Sequence, residues 1–218
     1  MNQVTDQQII EILRKEAVPA LGCTEPVACA LACAKCKEVL GGVPERLDVL
    51  VSGNIYKNGM GVGIPGTGMV GLPIAAALGA VCGKSEYGLE VLKEVNVGDN
   101  LQRAKDMLGQ VTVSLKEDAP DKLYAEALAT KGNDRVKVII AHTHTNIVLV
   151  EKNGEEIFKR EFRLDTSKPE DKGPELSVKR IWDFVHEVDV KDIEFVLQGA
   201  EMNKAISAEG LNSEYGLQ

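Results

Sequence analysis

The sequence predicts a mixed α/β (α+β) fold: a helical N-terminal lobe with a glycine-rich loop, then a mainly antiparallel sheet flanked by helices. Three observations carry this. Apolar residues recur at helical spacing near both ends of the chain. Short alternating segments crowd between residues 111 and 164, with Asn153-Gly154 as a hairpin turn between the last two. A glycine-rich stretch, SGNIYKNGMGVGIPGTGMVG at residues 52–71, separates the helical beginning from the strands.

The elements follow in order. Ile9, Ile10, Leu13 and Ala17 give one apolar stripe over 5–17, with Thr5 or Asp6 as cap and Pro19 as stop. A second helix is expected over 25–40, with Pro26 in its first turn and Gly41-Gly42 ending it. RLDVLVS at 46–52 reads as a strand. The stretch 52–71 is too rich in glycine for a regular helix and too apolar for a flexible linker, so an ordered loop or strand–turn segment is expected. Helices follow at 72–81, 87–93 and 97–108. Strands follow at 111–116, 123–130, 135–142, 147–152 and 156–164. After a charged loop at 165–175, helices at 176–187 and 190–208 close the pattern. The organisation expected is a helical lobe over 1–109 and a sheet with C-terminal helices over 110–218. The closing EGLNSEYGLQ reads as a chain cut mid-fold, a piece of something longer.

Composition narrows the function classes. Of 218 residues 44% are hydrophobic and 27% charged, an ordinary globular balance. The net charge of −8 forms no basic stripe, which argues against nucleic acid as a partner. No apolar run reaches the roughly 18 residues of a membrane span. The N-terminal MNQVTDQQIIEILRKEA lacks a signal pattern, so a cytoplasmic location is expected. Five cysteines, an odd number in such a setting, point to free thiols or metal ligands rather than disulfides.

Cys23, in GCTEP at 22–26, is the first candidate for chemistry. Gly22 permits a sharp turn, and the helix that follows offers unpaired N–H groups and partial positive charge. That setting favours thiolate, hence a nucleophile or a metal ligand; the alternative is a small buried residue in a tight turn. Cys29, Cys33 and Cys36 span about 10.5 Å of helix, too spread for one small cluster, and read as packing residues, as does Cys82. Gly61, Gly63, Gly66 and Gly68 imitate a nucleotide loop without its strand–turn–helix context; a carboxylate-binding loop fits better, with Asn54, Lys57 and Asn58 just before it. His142 and His144 alternate, so an extended backbone puts them on one side, as acid and base or as metal ligands; a polar strand end is the alternative.

Three motifs, EAVPALGCTEPVACALA, the glycine-rich SGNIYKNGMGVGIPGTGMVGLPIAAALG and IIAHTHTNIVLVEKNGE, occur in one order over nearly the whole chain. Together they resemble the cysteine desulfidases of bacteria and archaea, grouped with the alpha-chain part of the iron–sulfur L-serine dehydratases. The resemblance implies a lyase with a [4Fe–4S] cluster held by three cysteines, its open iron acting as Lewis acid. The reaction implied is α,β-elimination from L-cysteine, or L-serine, to pyruvate and ammonia with release of sulfide or water. It implies Cys23 as a cluster ligand, with Thr24 and Glu25 beside the cluster or on the substrate side. The loop 52–68 would meet the substrate carboxylate through Ser52, Asn54, Lys57, Asn58, Gly66 and Thr67. His142 and His144 would face the same cavity, one as base. The family's other cluster cysteines lie in a C-terminal region of a chain about twice as long, whereas no cysteine follows Cys82 here. An incomplete ligand set, an inactive piece, a partner in the missing C-terminal half and a homo-oligomer are therefore expected. Two other classes compete: a non-catalytic small-molecule-binding or assembly domain, and a hydrolase using Cys23 as nucleophile with His142 or His144.

Overall fold

The computed structural model describes residues 4–160 and 176–212. The charged stretch at 165–175, the end of the strand expected to reach 164 and most of the closing EGLNSEYGLQ lie outside the described residues. The chain forms two compact units, Ala20–Leu164 and Met1–Pro19 with Asp165–Gln218.

The larger unit is a six-stranded sheet with helices packed against it. Its strands are β1 (Arg46–Val51), β4 (Val111–Leu115), β5 (Tyr124–Lys131), β6 (Asp134–Ala141), β7 (Ile147–Lys152) and β8 (Glu155–Lys159), in the order β4-β1-β5-β6-β7-β8. Only the β1–β4 pair is parallel; the other neighbours are antiparallel. The mixed fold with a mainly antiparallel sheet is thus what forms. β1 sits inside the sheet, so the segments before and after residue 110 are joined by it rather than separated there. Asn153 and Gly154 both have positive φ, as the tight β7–β8 hairpin requires.

Helix α2 (Thr24–Leu40) is the centre of this unit. Pro26 starts it, Gly41 in the left-handed region ends it, and its alanines and cysteines are buried on every face. Such an all-round apolar helix belongs inside a core. One side lies on the strands, where the Cys36 thiol reaches the Ala127 carbonyl at 3.5 Å in a core with Ala125, Ala129 and Val136. The other packs α4 (Leu72–Val81) so closely that a Cβ on Gly79 would run into the Ala30 backbone. Cys29, Cys33 and Cys36 are fully buried core residues. Burial pushes the Cys33 and Cys36 thiols far up, which keeps them protonated.

The glycine-rich stretch departs from expectation. Residues Gly53–Gly59 form a short helix, α3, capped by Ser52, whose Oγ accepts from the Ile55 N–H at 3.5 Å. Burial of Ile55 and Gly59 holds a turn that glycine disfavours by itself. β2 (Gly63–Ile64) and β3 (Met69–Val70) then make a two-stranded hairpin. The helix expected over 87–93 is instead a 3-10 segment, Ser85–Glu90, broken at Gly88, where φ is positive. α5 (Asn100–Met107) covers most of the helix expected over 97–108.

The smaller unit contains α1 (Asp6–Glu16), α6 (Val178–Glu187), α7 (Val190–Ile193) and α8 (Val196–Asn212). Thr5 and Gln8 form a reciprocal capping box on α1. Val4, Ile9, Ile10 and Phe184 make its core, and Arg180 donates to the Val4 carbonyl at 2.6 Å and pairs with Asp6. The expected last helix is broken between Ile193 and Val196 into α7 and α8. Among the described residues no helix is long and apolar enough to cross a membrane.

Candidate functional site

The start of α2 sets Cys23, Thr24 and Glu25 in one turn. Cys23 is the residue before the helix, in extended backbone, after Gly22 at φ 81°. A side chain at 22 would press on the Pro65 ring at 3.0 Å, so the turn and the hairpin tip both require glycine. The Cys23 thiol donates to Glu25 Oε2 at 2.7 Å, and Asn58 Nδ2, from the last turn of α3, donates to Glu25 Oε1 at 3.0 Å. From the loop between β6 and β7, His144 Nε2 meets Thr24 Oγ1 at 3.2 Å. All four segments belong to the larger unit.

The electrostatics follow from these contacts. Burial raises the Cys23 thiol pKa and the bond to Glu25 raises it further, so the thiol stays protonated. This reverses the thiolate expected from the helix terminus: loss of water and a neighbouring carboxylate outweigh the dipole. The same bond from Cys23, with Asn58 behind it, lowers the Glu25 pKa and keeps it ionised. Burial lowers the His144 pKa, opposed only by the charge of Glu25, so this imidazole is neutral at pH 7. The site therefore holds a fixed carboxylate, a protonated thiol and a neutral imidazole.

Other expected site residues are placed elsewhere or occupied. The Ser52 hydroxyl donates to the Lys122 carbonyl at 2.7 Å and caps α3. Asn54 and Lys57 are exposed on α3. Thr67 Oγ1 donates to the Ile64 carbonyl at 2.6 Å and accepts from the Met69 N–H at 2.9 Å, closing its own hairpin. Gly66, at φ 78°, lies against Asn96. His142 does not share a side with His144. Its φ is 70°, so the segment turns instead of running extended, and its ring pairs with Asp121 at 2.6 Å. Sequence reading gave Asp121 no role; its signal is the Asx turn it makes before β5, accepting from the Leu123 N–H at 3.1 Å.

A cluster does not fit the residues present. Among the described residues no three His, Cys, Asp or Glu side chains stand together to hold a metal, and Cys23 is the single cysteine at the site. One thiol is not the ligand set of a four-iron cluster, so no step is routed through one.

Comparison with known proteins corrects the family. A UPF0597 protein of Parabacteroides distasonis is 46% identical over 222 residues, covering 99% of this chain and 51% of that protein. UPF0597 proteins of Dichelobacter nodosus and Bacteroides fragilis are 45% and 41% identical, each across 99% of this chain and 50% of their own length. The chain thus spans about half the length of the curated relatives it matches. No family model matches the chain, and no solved structure matches it. The resemblance to the cysteine desulfidases and iron–sulfur serine dehydratases is overturned by these names: over nearly its whole length, the chain is similar to UPF0597 proteins.

Proposed function

We propose that the Cys23–Glu25–His144 site is that of a lyase acting on a small amino acid, eliminating sulfide from L-cysteine, with L-serine as the alternative substrate. The observation that supports it is an ionised Glu25, held on both oxygens, beside a neutral, half-buried His144. Such a pair divides the work: the carboxylate meets the substrate ammonium and the imidazole serves as base. Substrate displaces the Thr24 hydroxyl from His144 Nε2, which takes the α-proton. The Cα–H electron pair becomes the Cα=Cβ bond, and the Cβ–S bond breaks with sulfur leaving as HS⁻. The aminoacrylate tautomerises and takes up water, giving pyruvate and ammonia. The N-terminus of α2 offers partial positive charge to the developing carbanion. The nucleophilic-cysteine reading is weaker, because the Cys23 thiol is held protonated and donates to a carboxylate, with no base drawing off its proton.

The test is pyruvate and sulfide release from L-cysteine, with L-serine in parallel, by the 218-residue chain purified anaerobically. Release that drops about 10²–10⁴-fold in His144→Gln supports the proposal. No release from either substrate, or release unchanged in His144→Gln, overturns it. Iron counted in the same samples, before and after iron–sulfur reconstitution, tests the cluster separately.

A further inference from the structure

His144 reaches Thr24 from a loop that would not hold its shape unaided. His142, where the loop begins, sits at φ 70°, in the left-handed region that side chains with a Cβ disfavour. Much of the loop closes on itself: the Asn146 amide donates to the Ala141 carbonyl at 2.9 Å, the Asn146 N–H to the Thr143 carbonyl at 3.2 Å, and Arg160 to Asn146 Oδ1 at 2.8 Å. The strained residue is held from outside. Asp121, in the segment before β5, accepts the Leu123 N–H on Oδ1 at 3.1 Å. Its Oδ2 accepts the His142 backbone N–H at 3.0 Å and stands 2.6 Å from the His142 ring Nδ1. The His142 N–H is shared with the Leu123 carbonyl, at 3.3 Å, so Asp121 holds the ring of the residue that sets the turn and, with the strand start it caps, its backbone.

We infer that Asp121 is a positioning residue for His144: by clasping His142 in its left-handed turn, it aims the His144 ring at Thr24. The inference rests on the proposed role of His144 for its catalytic consequence, but its structural readout is independent of any reaction.

The chain has three histidines, so proton NMR assigns each ring by single His→Gln variants. In the unmodified chain the His144 ring, 3.2 Å from Thr24 Oγ1, is expected to give a nuclear Overhauser contact to the Thr24 methyl. Asp121→Asn is nearly isosteric, yet both carboxylate oxygens accept hydrogen bonds, so an amide nitrogen at either position faces a donor and one bond must be lost. Loss of the Overhauser contact, with His144 ring signals moving toward those of a solvated imidazole, is expected. Turnover of L-cysteine is expected to fall about 10–100-fold with it. His142→Ala, at an exposed side chain, removes the ring pairing with Asp121 and is expected to move the same signals. An unchanged His144–Thr24 contact in folded Asp121→Asn, or in His142→Ala should the first variant not fold, overturns the inference. If the unmodified chain releases no pyruvate while these signals move as expected, the lyase proposal falls and the positioning role stands.

Discussion

Cys23 keeps its proton because two forces act on it in the same direction. Burial disfavours the thiolate, and Glu25 accepts the thiol hydrogen while repelling the negative charge its loss would leave. A helix terminus alone would do the opposite, and a sequence shows the helix terminus but not the rotamer of Glu25. That is why GCTEP predicted the start of α2 and suggested the wrong protonation state. A measurable consequence follows from the unequal exposure of the thiols. Cys29, Cys33, Cys36 and Cys82 are buried, so alkylation of the folded chain reports on Cys23. With its pKa above the ordinary value, Cys23 reacts slowly at pH 7.5, and the rate climbs with pH up to and beyond 9. Glu25→Gln removes the charge and weakens the acceptor, which lowers the thiol pKa and raises the rate at pH 7.5. The gain expected is on the order of threefold, below the roughly tenfold of a fully desolvated charge-assisted bond, because the site is partly open to water. Mass spectrometry of iodoacetamide labelling over time reads it; an equal or slower rate in the variant would show that Glu25 does not hold the thiol.

Among the elements, the ones bounded by strong local chemistry were legible. Pro26 and Gly41 bracket α2, Asn153-Gly154 turns the β7–β8 hairpin, and Thr5 caps α1. α3 was not legible, since glycine at 53 and 59 argues against a helix and only the burial of Ile55 under the fold overrides it. The loop with His142 and His144 failed for a related reason: alternation assumes an extended backbone, and the clasp on His142 that breaks it comes from 21 residues away. The α2–α4 crossing carries the element-scale prediction. Gly79 admits the Ala30 backbone where a methyl group has no room, and neither main chain can step aside without opening the core. Gly79→Ala is expected to destabilise by about 1–3 kcal/mol, the usual range for overpacking, despite the better helix propensity of alanine. Gly109, exposed and with nothing near its would-be Cβ, is the control, and Gly109→Ala should lie within about 0.5 kcal/mol of the parent. Urea titration of the three chains decides it; equal midpoints would mean that the two helices are not in contact as described.

At the scale of the whole molecule, the sheet order was beyond sequence reading. The parallel partners β1 and β4 are separated by α3, the small hairpin, α4 and α5, and periodicity does not say which strand a returning chain will join. Burial is distributed just as unevenly. α2 has buried residues on all sides, whereas α8 has no buried residue along its 17 positions, with Leu197, Met202, Ile206 and Leu211 exposed. An isolated helix of that length is marginal in water, so α8 draws little support from packing. Hydrogen exchange should therefore divide the chain. Amides of α2, β5 and β6 open only with the global unfolding of their unit and are the slowest to exchange; those of α8 open locally and are exchanged orders of magnitude sooner. The comparison is internal to one sample, so it needs no reference protein. If α8 is protected as strongly as α2 in dilute solution, and that protection fades on further dilution, another copy of the chain covers its apolar side chains. If strong protection persists at every concentration, the helix is stabilised within the monomer and the exposure described for it is wrong.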